Sequence, residues 1–148
     1  MKMNMFQPLN ISSSALTAGR LKMDILSSNI ANATTTRGKL VNGEWIPYRR
    51  KMVEVEPSGT APFSQFLKNE IGANGVKVTR IVEDKTPFKP VYDPTNPDAN
   101  NEGYVMMPNV DLTKEMVDLM SASRAYEANV TAFNVGKTMS LKALDIGR

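Results

Sequence analysis

Three groups of residues in this chain are equipped for chemistry. The first is an acidic loop carrying Asp93, Asp98 and Glu102. Loop carboxylates hold calcium when ligand positions alternate around a mid-loop glycine. Thr95 and Pro97 stand where ligands belong, so the loop reads as a solvated turn. The second is a basic triplet, Arg49, Arg50 and Lys51, beside Trp45 and Tyr48. Cations interleaved with aromatics contact phosphates and bases. Beside the acidic Glu54 and Glu56, this triplet reads instead as a salt-linked surface, and no nucleic acid is expected. The third is a row of amides and hydroxyls, SSNIANATTTRG, from Ser27 to Gly38, with Asn29 and Asn32 inside it. Amides bond the carbonyls that a helix end leaves free, or the backbone of a neighbouring chain. Asn129 is placed to do the same on the C-terminal side.

Catalysis has little to build on. The chain has no cysteine and no histidine, which removes thiol chemistry, the commonest general base and the commonest transition-metal ligand. No serine has a partner to activate it, and there is no glycine-rich phosphate loop. The carboxylates of the flanks are expected on exposed faces. No enzyme, metal or cofactor is expected. Three Asn-x-Ser/Thr matches, at Asn10, Asn32 and Asn129, fall in or at expected helices and read as chance.

The elements that must position these groups follow from proline. Eight of the nine prolines fall between Pro47 and Pro108, and the other is Pro8. Proline breaks helix interiors, so residues 9–36 and 109–148 can form long helices and the middle cannot. In the first flank Ile11, Leu16, Leu21, Met23, Leu26 and Ile30 belong to an apolar arc of roughly 220° at 100° per residue, wider than the stripe of an ordinary surface helix. In the second, Leu112, Met116, Leu119, Tyr126, Val130, Phe133, Leu141 and Leu144 form one stripe. Val117, Ala128, Val135, Met139 and Ile146 belong to another. Asp111 supplies a start, Glu115 sits where the helix dipole favours an acid, and Gly147 supplies a stop. Two such helices pair as an antiparallel hairpin, and a lone pair leaves their second faces wet.

The middle reads as extended. Met52, Val53 and Val55 lie between prolines in WIPYRRKMVEVEP, and GVKVTRIVED alternates like a strand. The segment from Phe88 to Pro108 reads as a strand, a turn-rich loop and a return strand. The expected fold class is therefore α+β. Residues 1–36 plus 109–148 form a helical domain, and 37–108 a β-rich domain with a flexible loop at about 57–74. The N-terminal MKMNMFQPLNISSS has one lysine and no continuous apolar core, and does not read as a cleaved signal peptide. No apolar run reaches a membrane span of about 20 residues. The polar faces carry serine, threonine and asparagine rather than the lysine and arginine of interfacial helices, so no direct membrane insertion is expected. Net charge is +3, with +5 in residues 1–50, −2 in 51–108 and zero in 109–148. Ten methionines, Met116 and Met139 among them, suit either a core or a helix that packs against non-identical neighbours.

The N-terminal helix running into SSNIANATTTRG resembles the signature of bacterial flagellar rod and hook proteins. PYRRK, the run GVKVTRIVEDKTPFKPVYDPTNPDANNEGYVMMPNV and the closing EMVDLMSASRAYEANVTAFNVGKTMSLKALDIGR extend the resemblance over nearly the whole chain, 57–74 excepted. Asn96 replaces the histidine of the Asp-Pro-x-His-Pro pattern, and Asn100 an aspartate, both within the turn loop. The resemblance implies a structural subunit of the proximal rod, the drive shaft between motor and hook of the flagellar basal body. It implies passage through the flagellar type III export apparatus across the inner membrane, into the periplasmic or cell-wall zone. Partners would be other rod proteins, copies of itself and the rod-to-MS-ring junction. The helices would pack as coiled coils in an inner tube, with the middle domain outside. Subunit contacts are then expected at Leu16, Met23, Leu26, Asn29, Ile30, Asn32, Met116, Tyr126, Asn129, Phe133, Met139 and Leu144. The competing reading of the residues alone is a soluble helical adaptor or secretion chaperone that grips a partner helix.

Overall fold

The computed structural model describes residues 7–58 and 75–146. The order is helix α1 (Gln7–Ala31), strands β1 (Lys39–Val41), β2 (Glu44–Ile46), β3 (Lys51–Pro57), β4 (Val76–Glu83), β5 (Lys89–Tyr92) and β6 (Tyr104–Met107), then helix α2 (Leu112–Ile146). The architecture is α+β. The strands pair as three two-stranded sheets, β1 with β2, β3 with β4 and β5 with β6. Most of the expected loop at about 57–74, from 59 onward, lies outside the described residues.

The chain forms two compact units, 1–22 with 54–80 and 121–148, and 23–53 with 81–120. In the first, the helices run antiparallel. A Cβ placed on Gly136 would lie 3.4 Å from Cδ2 of Leu9, and one on Gly19 would lie 3.6 Å from Cδ2 of Tyr126. Moving up α1 from Leu9 to Gly19 thus moves down α2 from Gly136 to Tyr126. Buried Ala18 and Ala122 are the small residues of this seam. The start of β4 is tied to α1, because the Val76 amide donates to Ser14 Oγ at 3.1 Å. On the β3–β4 pair, Arg80 forms a two-pronged bond to Glu54, with Nε to Oε2 at 2.6 Å.

The second unit holds a compact core of Leu26, Val105, Pro108, Val110 and the polar side chains Asn29, Asn109 and Glu115. Strands β5 and β6 pair with Val91 opposite Val105 and Tyr92 opposite Tyr104. Side chains alternate across a strand, so Val105 turns inward. Tyr92 and Tyr104 stack edge to face on the other side, with ring centres 5.3 Å apart. The turn between them is built as its sequence suggests: Asp93 Oδ1 accepts from Thr95, and Asn100 Oδ1 accepts from the amides of Glu102 and Tyr104.

The β1–β2 hairpin has no counterpart in the sequence expectation. Its signal is Asn42-Gly43, whose φ angles of 53° and 89° are both positive. A two-residue turn with both centres left-handed matches the twist of the flanking strands, and Asn-Gly is its preferred sequence.

Candidate functional site

The long row of amides and hydroxyls ends α1 and joins it to the sheets of the second unit. Asn32 closes its own helix end: its Nδ2 donates at 2.8 Å to the Ser28 carbonyl, which also accepts from the Asn32 backbone amide at 3.1 Å. Thr35 Oγ1 donates to Asn32 Oδ1, and the Thr35 carbonyl accepts from the Tyr48 amide at 3.0 Å. Thr36 and Arg37 then clamp Asp98, with Thr36 Oγ1 to Oδ2 at 2.7 Å and Arg37 Nε to Oδ1 at 2.8 Å. The Arg37 bonds, followed by the Thr36 hydroxyl, hold the Asp98 carboxyl below its ordinary range.

Asn29 does something different. It is wholly buried, and all its hydrogen-bonding capacity is spent within the chain. Nδ2 donates to the Lys51 carbonyl and to Glu115 Oε2, both at 2.9 Å. Oδ1 accepts from the Lys51 amide and the Tyr48 hydroxyl, both at 3.0 Å. One amide thus fixes α1, the start of β3 and the first turn of α2 together.

Glu115 is the second centre of this network, and it corrects the expectation that helix carboxylates lie on exposed faces. Its side chain has no exposed surface, and Arg50 Nε donates to its Oε1 at 2.6 Å. Arg50 also reaches Asp84 Oδ2 at 3.5 Å. Of the basic triplet, Arg50 is therefore the member linked to Glu115 and Asp84, whereas Glu54 belongs to Arg80. A charge moved out of water needs a partner and a full set of hydrogen bonds. Glu115 has both, through Arg50 and Asn29. Asn109 completes the arrangement: its Oδ1 accepts from the Arg50 amide at 2.8 Å, and its Nδ2 donates to Thr86 Oγ1 at 2.8 Å. The Asp84 carboxyl is held below its usual range, first by the Thr86 amide and then by the Thr86 side chain and Arg50. Asp111 Oδ1 caps α2 by accepting from the amides of Thr113 and Lys114.

The residues expected to mediate contacts between subunits fall into three groups. Leu26 and Asn29 are buried within the chain. Leu16, Met23, Ile30, Asn32, Tyr126, Asn129 and Phe133 are half-buried along the two helices. The Asn129 amide donates to the Ala125 carbonyl of its own helix at 3.0 Å. Met116, Met139 and Leu144 are open, at 51, 68 and 59% exposure. Val117, Met120, Val135 and Leu141 share that exposure, so exposed apolar side chains from both expected stripes recur on α2. Sequence reasoning missed the pairing of Arg50 with the buried Glu115. The only local signal was an acid in the first turn of α2, which the helix dipole alone explains.

Comparison with known proteins gives the arrangement its context. Residues 9–38 match the family described as flagella basal body rod protein. Residues 101–146 match the C-terminal region described for flagellar basal body rod FlgEFG proteins. The flagellar basal-body rod protein FlgC of Bacillus subtilis is 58% identical, over 99% of this chain and all of its own length. FlgC of Borreliella burgdorferi is 44% identical over 97% of this chain and 98% of its own. The Escherichia coli O6:H1 protein is 43% identical over 94 and 95% respectively. This chain belongs to the FlgC family of flagellar basal-body rod proteins. The first rod-family match covers nearly all of α1 with the amide row, and the second covers β6 with all of α2. The matched segments therefore hold Asn29 and Glu115, although not Arg50.

Proposed function

We propose that this FlgC-family chain is a structural subunit of the basal-body rod, in its proximal part, and that its work is mechanical. The observation that supports this reading is the set of exposed apolar side chains on α2. Met116, Val117, Met120, Val135, Met139, Leu141 and Leu144 are each more than half exposed. A helix with apolar side chains exposed on more than one side is one that neighbours cover. Heterologous contacts between copies build helical assemblies.

In this reading the flanks 1–36 and 109–148 form the inner tube, and 37–108 lies outside. Torque passes through many packed contacts to copies of the chain, to other rod proteins and to the rod-to-MS-ring junction. The chain reaches this place through the flagellar type III export apparatus, across the inner membrane. No helix among the described residues is long and apolar enough to cross a membrane. The role requires no catalysis. The adaptor reading has no specific observation in its favour, since the relatives matched along their full length are rod proteins.

The test is complementation of a strain that lacks the protein. Met139→Asp and Leu144→Asp together should leave the protein exported but absent from isolated basal bodies, and the cells non-motile. Motile cells with normal rods carrying both substitutions would contradict the packed tube.

A further inference from the structure

The β1–β2 hairpin presents different surfaces on its two sides. Leu40 lies directly opposite Trp45, while Lys39 opposes Ile46 and Val41 opposes Glu44. Alternation puts Leu40 and Trp45 on one side and the other two pairs on the opposite side. Leu40 and Trp45 are 54 and 55% exposed, so this side is an aromatic knob held out into solvent. Trp45 is the only tryptophan of the chain.

The opposite side lines a cleft of about 270 Å³ whose walls include Lys39, Val41, Ile46, Arg49, Lys51 and Glu83. That volume is below the roughly 300–1,000 Å³ of small-molecule sites, and fits an inserted side chain better than a cofactor. Its charge is positive, with three cations against Glu83. None of Lys39, Arg49 and Lys51 is in an ion pair among the described residues. Arg49 is held by stacking 4.6 Å from the centre of the Phe88 ring. Lys51 lies 5.6 Å from the centre of the Tyr48 ring. Lys39 is exposed at the cleft.

We infer that the Trp45 knob of one copy seats in this cleft on the next copy, with Lys39 and Lys51 against the indole. The complementarity is electrostatic. Tryptophan has the strongest negative ring face of the aromatic residues, and ammonium groups bind it best when water is excluded. Val41 and Ile46 supply apolar contact for the ring. A knob and a cleft on opposite sides of one hairpin make a head-to-tail contact, which can repeat from copy to copy around a closed ring or an open helix. The inference rests on the rod-subunit reading, because it requires copies to meet.

The chain lacks cysteine, so single cysteines report contacts cleanly. Leu40→Cys marks the knob and keeps Trp45, and Glu83→Cys marks the cleft. Both variants are co-expressed, basal bodies are isolated and oxidised, and disulfide-linked dimers are sought. Mixed cells should yield the dimer, and cells with either variant alone should not. Basal bodies that contain both variants without a mixed dimer overturn the inference and leave the rod reading standing. Absence of even the unsubstituted chain from basal bodies overturns both. Separately, Trp45→Ala should lower recovery in basal bodies by roughly tenfold or more, as for a central aromatic anchor, and Trp45→Phe should restore most of it. Full recovery of Trp45→Ala in rods also overturns the inference.

Discussion

Asn29 and Glu115 stand 86 residues apart in the chain and share a 2.9 Å hydrogen bond that solvent does not reach. The bond joins the last turns of α1 to the first turn of α2. Through Arg50 and Lys51 it also anchors the start of β3.

Replacing either partner exposes the cost of this arrangement. Asn29→Leu strands the Lys51 amide and carbonyl, the Tyr48 hydroxyl and one Glu115 oxygen. A buried group left unpaired costs about 1–3 kcal/mol, more when charged. Partial relief by water should bring the total to about 3–5 kcal/mol in urea unfolding. Glu115→Gln leaves Arg50 with the more distant Asp84, and should cost about 3 kcal/mol. The double variant should be less destabilised than the two losses added together, because both act on one network. Strict additivity would mean that the two residues act separately.

Acid should weaken the fold through Asp84 and Asp98. Both carboxyls are held below their ordinary range in the folded chain. A depressed folded pKa means that the unfolded chain binds the proton more readily. The stabilisation is complete above the unfolded value of about 3.9, and is lost as pH falls through the folded value. Stability measured in urea should be level from neutrality to about pH 5 and should decline below about pH 4. Asp98→Asn should lower the neutral value and flatten the decline. An unchanged acid slope in this variant would show that the Arg37 and Thr36 clamp carries no linkage.

Two glycines with the same backbone angle should respond differently to alanine. Gly43 has φ +89° and open space around the missing Cβ, whereas Gly75 has φ +82° and Ser14 in the way. Left-handed backbone costs a residue with a Cβ about 1–2 kcal/mol. Gly43→Ala should lose about that much. Gly75→Ala should lose more, because Ser14 Oγ is fixed between the Ile11 carbonyl and the Val76 amide. Removing the hydroxyl in a Ser14→Ala background should recover part of the difference. Equal losses at both glycines would refute the steric component.

Phe133 and Met139 separate folding from assembly. Phe133 is half-buried along the helix pair, while Met139 is 68% exposed. Phe133→Asp should speed amide exchange in residues 9–22 and 121–140 of the dilute protein, as local unfolding becomes easier. Met139→Asp should leave exchange unchanged and act only on incorporation into rods. Faster exchange in both variants would mean that the exposed face also stabilises the isolated chain.

The chain itself determined the two helices, the β5–β6 hairpin and the family resemblance, for local physical reasons. Eight prolines confined to one stretch forbid helix there, and the Asp-Pro and Asn-Glu-Gly turn chemistry needs only neighbours to act. The Asn42-Gly43 turn was equally legible, since its positive φ angles follow from those two residues alone. The partners of Arg50 were not. Glu54 is four residues away, yet Arg50 pairs with Asp84 and Glu115, at separations of 34 and 65 residues. The placement of the first turn of α2 and of Asp84 beside Arg50 decides that choice. Nor does periodicity distinguish an acid that favours a helix dipole from one that closes a buried network. Only the tertiary structure places Asn29 beside Glu115 and removes both from water, because burial is a property of what lies opposite a residue, not of the residue's neighbours in sequence.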